Sequence, residues 1–106
     1  MSVLTIRAHR RYALRTPAKL TQSGRKAAKC LLIELSQEGA RLSNLGGRDF
    51  AQGEEVTLVT ECGKRMAGII RWAHDGRAGV RLDRALHMPE MTALIEGSRK
   101  TMHAAA

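Results

Sequence analysis

Between Ala18 and Leu82 a glycine-bearing turn interrupts the chain every few residues, and the runs left between turns are short for helices. The interruptions are Ser23-Gly24, Gln37-Glu38-Gly39, the loop Leu45–Gly53, Cys62-Gly63-Lys64 and His74-Asp75-Gly76, the last of the Asp-Gly hairpin type. The runs carry the period of strands. Val56–Glu61 (VTLVTE) alternates residue by residue. In Met66–Ala73, Met66, Ile70 and Trp72 fall on one face and are expected in the core. In Ala78–Leu82, Val80 and Leu82 point inward together. Ala18–Gln22, Ala27–Leu35 and Ala40–Asn44 complete six short strands. Tight connections make neighbours antiparallel, so the expected fold is all-β, a six-stranded antiparallel β-barrel.

One C-terminal α-helix follows. His87-Met88-Pro89 opens it with Pro in the first turn, and Gly97 is expected to close it. Met91, Leu94 and Ile95 form an apolar stripe suited to packing on the barrel. The chain has 106 residues, enough for one domain around one core. Residues 1–15 form a basic N-terminal segment, a tail and linker, and Thr16-Pro17 directly after it ends any helix there. Residues 16–97 form the barrel and helix, and residues 98–106 a frayed tail.

Charge narrows the partner. Lys and Arg number 18 against 10 Asp and Glu, giving net +8, and most of the cations are arginine. Arginine's planar fork of donors suits phosphates and purine edges better than lysine does. The balance points to an anionic partner, with solubility alone as the bland alternative. Cys30 sits in an apolar run and Cys62 before a Gly-Lys turn; neither belongs to a CxxC pair, which fits a reducing compartment. No apolar run approaches a membrane span, and the first residues lack the apolar stretch of a signal peptide. A cytoplasmic protein without membrane insertion is expected.

Catalysis finds little support. His9, His74, His87 and His103 are scattered without metal-ligand spacing, and neither a nucleophile elbow nor a Gly-rich phosphate loop occurs. No enzyme activity, metal or cofactor is expected. Single-stranded nucleic acid would need stacking platforms, and only Tyr12, Phe50 and Trp72 are aromatic. Charge alone would give salt-sensitive, non-specific binding.

Two stretches remain. RRYALR (Arg10–Arg15) places three arginines just ahead of the barrel, and the spacing Arg-x-x-x-Arg occurs at Arg7–Arg11, Arg11–Arg15 and Arg77–Arg81. IELSQEGARL (Ile33–Leu42) surrounds a polar turn with apolar strand residues. Glu34 and Ser36 lie two apart and share a strand face, opposite Ile33 and Leu35. A carboxylate accepts the two parallel N–H donors of guanine's Watson–Crick edge, and a hydroxyl adds a flexible donor and acceptor. Gly39, without a side chain, lets a flat ligand approach the backbone. A plain hairpin turn explains the same residues taken alone.

In order along the chain, these features resemble the PilZ domain, a bacterial receptor for cyclic di-GMP. Arg11 and Arg15 match the family's Arg-x-x-x-Arg motif. Ser36 and Gly39 match its Asp/Asn-x-Ser-x-x-Gly motif, followed by the apolar GARL. Arg71-Trp72 and AGVRL resemble its closing strands. The likeness runs from Arg10 to Leu82.

The resemblance implies a split barrel and no catalysis. It implies cyclic di-GMP held by Arg10, Arg11, Arg15, Glu34, Ser36 and Gly39, with Arg7 and Arg41 as outer contacts. Arg10 implies a stacked pair of ligands rather than one. The arginine segment would order over the ligand and pass the signal to an unknown effector protein. Glu34 departs from the family's Asp/Asn and carries its oxygens roughly 1–1.5 Å further out. Two alternatives keep the fold: a degenerate interaction module that has lost the nucleotide, and a basic barrel that binds nucleic acid through charge.

Overall fold

The computed structural model describes residues 11–46 and 50–105, with side chains up to residue 97. Its elements are β1 (Tyr12–Thr21), β2 (Ala28–Leu35), β3 (Gly39–Ser43), β4 (Glu55–Thr60), β5 (Arg65–His74), β6 (Arg77–Leu82) and α1 (Met88–Ala105). The strands close into a barrel in the order β1-β2-β3-β6-β5-β4. Every neighbouring pair is antiparallel. The six-stranded antiparallel barrel with a C-terminal helix is therefore the fold. The chain leaves β3 beside β6 and crosses to β4 on the far wall. Leu45 and Phe50, at the two described ends of that crossing, are buried.

Alternation supplies the core. Leu20, Leu32, Leu42, Leu58 and Ile70 are all but fully buried, and Val80 and Leu82 join them from β6. Burying each such side chain stabilises the fold by about 1.5–3 kcal/mol. Met91, Leu94 and Ile95 of α1 complete the same cluster, as their spacing predicts. The helix start is fastened by Glu90. Its carboxylate accepts the His87 backbone N–H at 3.0 Å and receives the Lys64 ammonium from the β4–β5 turn. The Lys64 bond, then the His87 N–H, holds the Glu90 carboxyl down at about 2.

Two boundaries differ from expectation. The first strand begins at Tyr12, not Ala18, so Tyr12–Arg15 belong to the sheet. Tyr12 pairs with Leu35 and Ala13 with Glu34, and Tyr12 and Leu14 pack partly buried on the core. Thr16-Pro17 forbids helix but allows extended chain. Pairing with β4 begins only at Ala18, so Pro17 occupies an edge position where its missing N–H costs nothing. The helix also continues past Gly97 to Ala105. Gly97 is not among the glycines with positive φ, so it stays helical. A lone glycine costs a helix about 1 kcal/mol but does not stop it without a capping turn or proline behind it.

Candidate functional site

Three register irregularities shape one outer wall of the barrel. On the β2–β3 ladder the pairing shifts between Leu32 and Glu34. Strict alternation from Leu32 would send Glu34 inward. The extra residue turns it outward, where it stands opposite Arg41, and Leu35 takes the buried place. The β1–β2 ladder shifts at the same level, between Ala13 and Thr16. The expected grouping of Glu34 with Ser36, away from Leu35, is thus the observed one, but Ile33, expected on the Leu35 face, falls at the irregularity and is only half-buried.

The third shift lies between Ile70 and Trp72, where Ile70 faces Val80 but Trp72 faces Gly79. It corrects the expectation that Trp72 shares the core face with Ile70. Trp72 emerges half-buried on the outer wall, and Ala73 packs partly buried on the core instead. Gly79 makes room: a Cβ there would sit 2.6 Å from Cε2 of the indole. The Arg41 guanidinium lies 5.9 Å from the indole centroid, within cation–π range. His74 stands beside the ring with centroids 5.3 Å apart.

The turn after β2 is fixed from inside and outside. Gly39 N–H donates to Ser36 Oγ at 3.0 Å, and Ser36 N–H donates to the Gly39 carbonyl at 2.9 Å. A Cβ at Gly39 would come 3.2 Å from the Val80 carbonyl oxygen, so the position needs a small residue. Leu82 N–H reaches the Glu38 carbonyl and Leu86 N–H the Gln37 carbonyl, each at 2.8 Å. Gln37 Nε2 returns a 2.8 Å bond to the Leu86 carbonyl. The turn is therefore braced by the segment that leads into α1.

These pieces meet in a cleft of about 280 Å³, lined by Arg11, Glu34, Ser36, Gly39, Ala40, Arg41, Arg71, Trp72 and Val80. Three guanidinium groups face one carboxylate, so the cleft is cationic. The Arg11 guanidinium lies 3.6 Å from Glu34 Oε1, with side chains 49% and 29% exposed. That exposure limits the pair to a fraction of a kcal/mol, about 0.2–1. It can be exchanged for a ligand contact.

Of the sequence-predicted residues, Arg11, Glu34, Ser36 and Gly39 converge here. Arg41, expected further out, is part of the lining. Arg15 is exposed on β1 and is not among the lining residues. Arg7 and Arg10 lie outside the described residues. Sequence reasoning used Arg71-Trp72 only as part of a resemblance and did not place it at the site. The signal that could have found it is Gly79, across the hairpin from Trp72, whose missing side chain leaves room for a ring.

The fold and cleft define a small closed barrel with a cationic recess and an aromatic face on its outer wall. The family model of the PilZ domain matches residues 5–99. The structure is similar to that of the Bacillus subtilis inhibitor of motility (MotI/DgrA), with TM-score 0.64 and 14% identity. The likeness covers 92% of this chain and 52% of that one, so the chain spans about half its length. No curated protein matches the chain significantly. The chain belongs to the PilZ-domain family, a family of cyclic di-GMP receptors. No helix among the described residues is long and apolar enough to cross a membrane.

Proposed function

We propose that this protein is a cyclic di-GMP receptor that seats the dinucleotide in the cleft around Glu34 and Trp72. The supporting observation is convergence. Arg11 from one motif and Glu34, Ser36 and Gly39 from another line one recess, with Trp72 as an aromatic face. Each half of cyclic di-GMP offers a phosphate, a purine face and a guanine edge. Glu34 accepts the guanine N1 and N2 donors, and Ser36 adds a hydroxyl at the same edge. Trp72 and the Arg41 plane above it offer stacking surfaces. Arg11 leaves Glu34 and turns its fork to a phosphate or a guanine O6/N7 edge.

At about 280 Å³ the cleft lies below the roughly 300–1,000 Å³ typical of enclosing ligand pockets. It seats part of the ligand and leaves the rest for the arginine segment to cover. Arg10, ahead of β1, closes over that side, exposed Arg15 reaches the ligand from β1, Arg7 is an outer contact, and a stacked ligand pair fills the space between. The change in the segment ahead of β1 is the signal read by an effector protein. No reaction is catalysed.

Isothermal titration calorimetry tests this. Cyclic di-GMP is expected to bind saturably, and Arg11→Ala and Arg15→Ala each to weaken binding about tenfold or more, as loss of a charge-assisted hydrogen bond implies. No heat at high micromolar ligand would overturn the proposal. The second reading is a PilZ module that acts through protein contact without nucleotide, and one observation favours it. Glu34 bears the longer side chain and already faces Arg11. Binding gained only in Glu34→Asp would establish that reading. Binding to nucleic acid instead would fall steeply with salt and respond little to either arginine change.

A further inference from the structure

We propose that the outer wall of β1, β2 and β4, away from the cleft, is a docking face for an acidic, partly apolar segment of another protein.

The register of four adjacent strands carries the inference. Lys29 on β2 stands opposite Lys19 on β1, Lys19 opposite Val59 on β4, and Val59 opposite Arg65 on β5. One transverse row therefore reads Lys, Lys, Val, Arg. All three cations are exposed, and none joins an ion pair among the described residues. Like charges directly opposite on an antiparallel pair destabilise it. Lys29 opposite Lys19 is such a pair, and carboxylates placed over the row relieve its repulsion.

The surface beside the row selects the kind of anion. A groove of about 390 Å³ runs along it, lined by Pro17, Ala18, Lys19, Lys29, Val59 and Glu61 among others. Pro17 and Leu31 face each other one row further on, and Leu31 and Val59 are only half-buried. Apolar contact is thus available between cations. A uniform polyanion such as a phosphodiester chain has nothing to set against half-buried Leu31 and Val59. A polypeptide can set acidic side chains over the lysines and apolar ones over Leu31 and Val59.

A closed barrel offers no strand edge, so the partner is held by side chains and not by an added strand. Strand spacing of about 4.8 Å puts Arg65 roughly 10 Å from Lys19, within reach of acids two or three residues apart in an extended segment. The strand order sets β1 and β4 across the barrel from β6 and β3. Among the described residues the groove and the cleft share no lining residue, so the inference does not rest on the ligand assigned to that cleft.

Fluorescence anisotropy with a labelled peptide of alternating Glu and Leu tests it at low salt. Saturable binding is expected with Kd below about 1 mM, a modest affinity of some −4 kcal/mol. Lys19→Glu/Lys29→Glu together should weaken it at least tenfold and Arg65→Glu several-fold. Arg77→Glu, the same charge change on β6, should leave it unchanged. Unaltered melting of the double variant, with unaltered cyclic di-GMP calorimetry, separates this face from the cleft. Three results overturn the proposal: no saturable peptide binding, equal loss in Arg77→Glu, or tighter binding of oligo-dT or phosphatidylglycerol vesicles through the same lysines.

Discussion

The indole of Trp72 lies across the backbone of Gly79, so closely that any side chain at position 79 would occupy the space of the ring. The β5–β6 register shift brings the two together, and the missing Cβ lets the ring lie against the barrel beneath Arg41.

Gly79→Ala is expected to push the ring off the wall. Overpacking of this kind destabilises by about 1–3 kcal/mol. The variant should melt several degrees lower, shift the tryptophan emission to the red and weaken cyclic di-GMP in calorimetry. An unchanged emission maximum would show that the ring does not depend on Gly79.

Gly68 gives a harsher version of the same test. A Cβ there would stand 2.5 Å from the Arg81 carbonyl oxygen and 2.7 Å from Val80 Cγ1. The first obstacle is backbone, which cannot swing aside like a side chain. Gly68→Ala should therefore destabilise at least as much as Gly79→Ala, by about 2–3 kcal/mol or more, with no specific effect on tryptophan emission. Urea denaturation of both variants compares them.

Glu90 sets an acid limb of stability. Its carboxyl is held at about 2, below the ordinary 4.5, by the Lys64 bond first and the His87 N–H second. A lowered folded value means the contribution is complete above about pH 4.5 and is lost as pH falls toward 2. Glu90→Gln should melt lower than the parent at pH 7, and the two should converge as pH falls through that window. Melting curves at several pH values check this.

The two cysteines should differ in reactivity. Burial raises the Cys30 thiol to about 11. Cys62 is exposed, and a hydrogen bond with the Thr60 hydroxyl lowers its thiol below the usual value. Iodoacetamide at pH 8 should label Cys62 first and Cys30 only on unfolding, as peptide mass spectrometry would reveal. Equal labelling of both in the folded protein would contradict the burial of Cys30.

Period-two alternation, Gly-bearing turns and the Met91-Leu94-Ile95 stripe were enough to predict six strands, their antiparallel closure and the packed helix. These are local signals: which side of a strand is apolar depends on its own residues. The grouping of Glu34, Ser36 and Gly39 was equally legible, because a tight turn keeps its parts together. Alternation cannot count a residue that lacks a partner. A bulge exists only between two strands, so the chain alone sent Trp72 to the core, where the β5–β6 register turns it to the wall. For the same reason Tyr12–Arg15 read as linker: their strand character comes from pairing with Glu34 and Leu35. The basic row of Lys29, Lys19 and Arg65 comes from three distant stretches, and only the closing of β1 on β4 sets it in line. The sequence by itself determined which residues face in and where the chain turns, since burial and turn chemistry are written residue by residue. Tertiary pairing decided which outward side chains meet, because register across strands is a property of the pair.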